Sequence, residues 1–300
     1  MSKQTTYLLG ILATILLGCY FYSKFCCTCC KNSIETTVPV AVKTDESTRN
    51  TFHLIGDNFD YSCEKNFNFQ SESFNYLKPV DSCIDIGISQ LKSYFSKNPN
   101  GKLSITGYCL SSEKNTSAFP NLGFARANDI KNYFTTKGLA SNRFETKGEI
   151  KNSWKIENEL IIGPVSYAIT NDIIEAKGED WNALKEMITE NPLVLYFNTN
   201  QTEINLTDEE RQKIALLNKY LDHVVDAKIS CIGHTDNTGD RNVNIQLGQD
   251  RANFAKTYLV KNGIAKNRIE ASSKGPDEPI ADNLTPEGKA KNRRTVITLK

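Results

Sequence analysis

Gly233-His234-Thr235-Asp236-Asn237-Thr238-Gly239 decides how this chain is read. It is a tight polar loop that holds one carboxylate. The residues before it, Ala227 to Ile232, alternate apolar and polar as a half-buried strand does. The residues after it, Asn242 to Gly263, read as a helix whose small and apolar face is Ile245, Gly248, Ala252, Ala255 and Leu259. Asn244 and Arg251 are seven apart and so lie two turns apart on one face of that helix. Asp236 precedes Arg251 by fifteen positions. A strand-end acid beside a helix-borne base makes a two-signed pocket, suited to a small zwitterion rather than to a polyanion. Backbone N–H groups at the start of the helix are expected to add to carboxylate binding.

Four stretches carry a resemblance. They are the Gly233–Gly239 loop, Asn244-x-x-Leu247-x-x-x-Arg251-Ala252, Lys261-Asn262-Gly263-Ile264 followed by Arg268-Ile269, and the terminal Lys291-Asn292-Arg293-Arg294-Thr295-Val296-Ile297-Thr298-Leu299. At these residues the chain resembles the OmpA-like peptidoglycan-binding domain family, over residues 192–300. In that family the loop aspartate and the helix arginine hold the amino and carboxylate groups of the diaminopimelate residue in the peptidoglycan stem peptide. The resemblance gives those roles to Asp236 and Arg251, and places Asn244, Thr235 and Arg294 along the same pocket. It implies no cofactor, no metal and no catalysis. A charge-assisted hydrogen bond at each end contributes about 1.5–3 kcal/mol. A guanidinium grips a carboxylate with two parallel bonds, which lysine cannot do.

The rest of residues 192–300 is read in order. Leu193 to Phe197 is a buried strand. Thr207 and Glu210 form a capping box ahead of a helix with the stripe Ile214, Leu217, Leu221 and Val225. Arg268 to Ser272 is a strand, Thr285-Pro286-Glu287 starts a short helix, and Thr295 to Leu299 closes the sheet. The expected fold is α/β, one sheet with helices packed on one side.

The same pattern occurs earlier in the chain. Lys102 to Gly107 lines up with Lys228 to Gly233 at an offset of 126, and Arg126-Ala127, Gly138-Leu139 and Asn142-Arg143 line up with Arg251-Ala252, Gly263-Ile264 and Asn267-Arg268 at 125. Two OmpA-like modules are therefore expected, the first degenerate. It has Gly107-Tyr108-Cys109-Leu110 where the second has Gly233-His234-Thr235-Asp236, and Ser111 stands fifteen before Arg126. Its nearest acid is Glu113, which a different loop path brings in. The first module is not expected to bind the stem peptide. It serves as a spacer, or offers a surface to another envelope protein.

The expected organisation is a membrane anchor over residues 1–30, a linker over 31–50, the degenerate module over 51–170, a helical linker over 171–191 and the intact module over 192–300. Residues 7–22 are uncharged and span about 24 Å as a helix, and Phe25 to Cys27 extend the stretch toward a bilayer core of about 30 Å. A span through residues 7–27 places the soluble part in the periplasm of a bacterial envelope and leaves inner and outer membrane open. There are two rivals: a cleaved signal peptide, for which no convincing small-x-small site is present, and a lipoprotein signal, because Leu16-Leu17-Gly18-Cys19 resembles a lipobox. The span holds no Asp or Glu, which disfavours a proton-carrying motor role. Cys26, Cys27, Cys29 and Cys30 lack zinc-finger spacing and read as membrane-edge residues.

Net charge is +1 and no basic stripe with interleaved aromatics appears, so nucleic acid is excluded as a partner. Nine cysteines at irregular spacing do not make a disulfide scaffold, and Cys63 with Cys83 is the soluble pair to test. Cys231 reads as a small buried apolar residue. His234 beside Asp236 raises acid–base chemistry, but no nucleophile stands in a recognisable setting and His234 reads as a solvent-facing strand end. The competing reading is an envelope protein-interaction protein whose peptidoglycan pocket is vestigial.

Overall fold

The computed structural model describes residues 51–154, 156–171 and 180–300, and Glu46–Lys300 form one compact unit. The expected anchor and linker lie outside the described residues. Among the described residues no helix is long and apolar enough to cross a membrane.

The chain opens with a hairpin of β1 (Phe52–Gly56) and β2 (Phe59–Cys63), then β3 (Phe69–Gln70), α1 (Ser82–Lys97), β4 (Lys102–Cys109) and α2 (Leu122–Thr136). There follow β5 (Phe144–Ile150), β6 (Ile156–Glu157), β7 (Leu160–Ile161) and β8 (Val165–Thr170). The later part holds α3 (Trp181–Glu190), β9 (Leu193–Tyr196), α4 (Asp208–His223), β10 (Ile229–His234), α5 (Arg241–Lys261), β11 (Ile269–Gly275), α6 (Pro286–Asn292) and β12 (Arg294–Leu299).

The second sheet runs β11-β10-β12-β9. β10 is parallel to β11 and antiparallel to β12, with Cys231 opposite Ala271 on one side and Ile297 on the other. Along β10 the residues Ile229, Cys231 and Gly233 are buried while Ser230 and Ile232 are half-buried, the period-2 signature of a sheet with one covered face. The cover is α4, through Ile214, Leu217 and Leu221, and α5, through Ala252, Ala255 and Leu259. Val225 does not extend the α4 stripe: the helix ends at His223 and Val225 is 74% exposed. Thr207 and Glu210 close a complete capping box and Thr285 caps α6 with Pro286 at its start.

The first sheet runs β5-β4-β8, with β4 parallel to β5 and antiparallel to β8. This repeats the relation of β10 to β11 and β12. The details repeat as well. Gly138 and Gly263, each just past its helix, take φ of +91° and +94°, a left-handed conformation glycine adopts without steric cost. Gly107 of β4 lies against the backbone of Gly123 as Gly233 of β10 lies against Gly248, so close that a Cβ at either strand position would overlap the helix carbonyl. Both contacts let a helix settle directly onto its strand. The first part also carries features with no partner in the second: the β1–β2 hairpin, a small sheet of order β3-β7-β6, and a disulfide from Cys63 at the end of β2 to Cys83 in the first turn of α1.

The two sheets belong to one packed body. Phe119, Leu122 and Ala125 join the core built by β9 to β12. The Ala118 N–H donates to Asn262 Oδ1 at 2.8 Å and the Tyr258 hydroxyl to the Ser117 carbonyl at 3.1 Å. Asn218 Nδ2 donates to Asn128 Oδ1 at 3.0 Å, and the buried Lys131 ammonium meets Asp222 at 2.5 Å. α3 brings Leu184 and Ile188 into the second core, while Trp181 stacks on His223 with ring centroids 4.2 Å apart. Thus the part of the expected helical linker that is described packs as a structural helix, while Ile173 and Ile174 lie outside the described residues.

Candidate functional site

β10 ends at His234 and delivers Thr235 and Asp236 to the mouth of the loop before α5. Thr235 is fixed by its N–H to the Gly275 carbonyl at 2.9 Å. Asp236 Oδ1 accepts the Thr238 N–H at 3.0 Å, the local turn that Asp favours. Asn244 in the first turns of α5 donates Nδ2 to the Thr238 carbonyl at 3.0 Å and ties the loop to the helix.

The partner of Asp236 is Arg293, whose Nη1 donates to Oδ2 at 2.9 Å, with 10% of the acid's side chain and 15% of the base's exposed. Arg293 Nε donates to the Phe197 carbonyl at 3.0 Å. Its Nη2 has no protein partner among the described residues. Burial works against ionising Asp236, but the Thr238 N–H and Arg293 outweigh it and hold the carboxyl below the usual carboxylate range. A carboxylate has about four acceptor positions; the Thr238 N–H and Arg293 each take one, and the Thr238 side chain also acts on the group. The loop therefore presents an ionised acid with spare acceptors beside a guanidinium with a spare donor.

Arg251 lies beneath this pair and has no exposed surface. Nε donates to the Gln201 carbonyl at 3.0 Å, Nη1 to the His234 carbonyl at 3.0 Å and Nη2 to the Asn198 carbonyl at 3.2 Å. The guanidinium also sits over the Phe197 ring, 5.0 Å from its centroid. Burial, together with the charge of Arg293, pulls its pKa down to about 10, against the pull of Asp236, and it stays charged at neutral pH. Arg251 thus clamps the end of β10 to the Asn198–Gln201 loop. It reaches an outside ligand only if that loop opens.

Arg294 turns away from Asp236. Its guanidinium donates to the Asn292 and Glu278 carbonyls at 3.3 and 3.1 Å and is buried. The signal that separates the two arginines is the element boundary: Arg293 is the C-cap of α6, before the strand begins, and Arg294 is the first residue of β12, opposite Tyr196 of β9. His234 is not at the solvent surface: it continues β10, faces Gly275 of β11 and is 4% exposed. Burial and the neighbouring charge of Arg294 push its pKa down to about 4, so it is neutral at physiological pH. The N–H groups at the start of α5 are not open to a ligand either, because Asp240 accepts those of Asn242 and Val243 at 2.8 and 3.1 Å. Cys231 is buried in the strand as expected, and burial pushes its thiol up to about 12.

An OmpA family model matches residues 196–293. The peptidoglycan-binding protein ArfA of Mycobacterium bovis is 46% identical over 74 residues, which cover 25% of this chain and 23% of that protein. Outer membrane protein Omp38 of Acinetobacter baumannii is 38% identical over 108 residues, 36% of this chain and 30% of that protein. The aligned stretch spans less than a third of either relative. Among solved structures, the peptidoglycan-associated lipoprotein from Burkholderia pseudomallei is similar at 26% identity and a TM-score of 0.33, covering 36% of this chain and 89% of that one.

Proposed function

We propose that the module at residues 192–300 binds peptidoglycan non-covalently through the diaminopimelate residue of its stem peptide, without catalysis, and that the chain tethers an envelope membrane to the wall. One observation carries the reading: Asp236 and Arg293 stand side by side at the loop mouth as an opposed pair with unused hydrogen-bonding positions. The ligand ammonium takes the free lone pairs of Asp236. The ligand carboxylate takes Arg293 Nη2, and Arg251 when the Asn198–Gln201 loop opens. Asn244 and Thr235 shape the loop around them, whereas Arg294 donates to the Asn292 and Glu278 carbonyls and lies outside this contact. The matches to peptidoglycan-binding relatives support the reading, and the family model spans this loop and helix.

Two charged contacts give weak affinity, on the order of a millimolar. A polymeric wall and a membrane-held protein raise retention through effective concentration. The anchor proposed for this is the apolar run at residues 7–27, as a retained helix or as a lipid on Cys19, with the soluble part in the periplasm. The Cys63–Cys83 bond suits that oxidising compartment.

The ligand assignment is tested with two synthetic stem peptides, identical except for diaminopimelate or lysine at one residue. Lysine keeps the ammonium and lacks the second carboxylate. Titrated into the Glu46–Lys300 unit and followed by NMR, the diaminopimelate peptide is expected to shift the Asp236 and Thr238 amides and to bind about tenfold more tightly than the lysine peptide. Equal affinity for the two would remove the carboxylate contact from the account.

A further inference from the structure

The first half of the molecule holds a second buried guanidinium in a frame that matches that of Arg251. Arg126 Nη1 donates to the Tyr108 carbonyl at 2.9 Å, as Arg251 does to His234. Arg126 Nε donates to the Ser73 carbonyl at 3.0 Å, as Arg251 does to Gln201. Each guanidinium lies over a phenylalanine ring, Phe69 at 5.3 Å and Phe197 at 5.0 Å. The frames differ at the remaining donors. Arg251 Nη2 reaches only the Asn198 carbonyl, whereas Arg126 grips the Glu113 carboxylate through Nη2 at 2.5 Å and Nη1 at 3.1 Å.

The Glu113 carboxylate is held as completely as a bound ligand. Beyond the two guanidinium bonds, Oε2 accepts the Leu110 N–H at 2.9 Å and Oε1 the Glu72 N–H at 3.1 Å. Its side chain is 1% exposed and that of Arg126 is not exposed at all. The planar fork and two inward N–H groups match a carboxylate in shape and charge.

We propose that Glu113 is a built-in ligand: its carboxylate fills a carboxylate-binding site on Arg126, closing the first half to outside carboxylates and pinning the 111–119 loop onto α5. The continuation of the loop supports the second part. Past Glu113 the chain turns through Asn115, whose Nδ2 donates to the Phe119 carbonyl, and presents Ser117 and Ala118 to Tyr258 and Asn262. One half thereby becomes a brace for the other. This holds whether or not the second half binds the wall.

Chemical rescue tests it. In Glu46–Lys300, Glu113→Ala leaves the Arg126 site without its carboxylate, and thermal unfolding is followed in sodium acetate or formate against sodium chloride of equal ionic strength. The variant is expected to melt below wild type in chloride, and acetate or formate to restore about 3–6 °C in a saturable manner. Wild type and Glu113→Ala/Arg126→Met are expected to show no such difference between salts. If Glu113→Ala does not fold in chloride, refolding from urea in acetate decides: recovery in acetate alone supports the site, and failure in both salts contradicts it. Glu113→Gln, which keeps the shape and loses the charge, is expected to melt below wild type and to ignore acetate. A rise no larger in acetate than in chloride, an equal rise in the double variant, or a Glu113→Gln protein as stable as wild type would overturn the proposal.

Discussion

Arg251→Ala is expected to destabilise the Glu46–Lys300 unit by about 3–5 kcal/mol in urea unfolding. The substitution removes a guanidinium with no exposed surface and strands three carbonyls, those of Gln201, His234 and Asn198. The His234 carbonyl is fully buried, so water does not replace the lost donor there. The hole left over Phe197 adds a cavity term. Arg251→Lys restores the charge but not three in-plane donors, and is expected to recover less than half of the loss. It follows that a loss of wall binding in Arg251→Ala reports unfolding as readily as a lost ligand contact. Arg293 and Asp236, both partly exposed, are the informative positions. An Arg251→Ala protein as stable as wild type would show that the clamp does not hold the β10 end.

Asp222→Ala is expected to cost a similar amount, about 3–5 kcal/mol, because it leaves the buried Lys131 ammonium without a counter-charge. Asp222 lies on α4 and Lys131 on α2, so the loss also loosens the joint between the two halves. Replacing the pair together by Lys131→Met and Asp222→Leu is expected to recover most of it. The pH dependence has a defined sign. Burial lowers the folded pKa of Lys131 below 10.5 despite the pull of Asp222. Between the folded value and 10.5 the unfolded chain binds more protons, so stability rises with pH in that window. Asp222→Ala lowers the folded pKa further and widens the window. Its deficit relative to wild type is therefore expected to shrink as pH is raised toward 10, in urea unfolding at a series of pH values. A deficit that stays constant as pH is raised toward 10 would place the charged ammonium in solvent rather than in the joint.

Much of the second module was legible because its signals are local. The capping box of Thr207 and Glu210, Pro286 at a helix start, and the alternation through Cys231 each act within a few residues. The likeness between the two halves was legible because glycines that lie against a helix or turn left-handed recur 125 or 126 positions apart. The site was legible only as a region. Two adjacent arginines look alike in one dimension, and the choice between Arg293 and Arg294 depends on where α6 ends and β12 begins. The depth of Arg251 was hidden too, since two of the three carbonyls that absorb its donors come from a loop 50 and 53 positions earlier. The first half was harder for two physical reasons. Its β6–β7 turn puts Asn158 and Glu159 at φ of 52° and 64°, without the Asn-Gly pair that announces such a turn. Its Arg126 partner arrives from position 113 by a loop path that no period encodes.

The measurement that bears most directly on the account is co-sedimentation of Glu46–Lys300 with purified peptidoglycan whose stem peptides carry diaminopimelate, run beside Asp236→Ala and checked for folding by thermal melts. Truncation at residue 192 is avoided, because Phe119, Leu122, Ala125, Leu184 and Ile188 complete the second core. The account predicts that the wild-type unit pellets with the wall, and that Asp236→Ala, still folded, binds about tenfold or more weakly for want of the ammonium contact. A folded wild type that stays in solution, or an Asp236→Ala protein that pellets equally well, would contradict it and leave the module as a surface for another envelope protein.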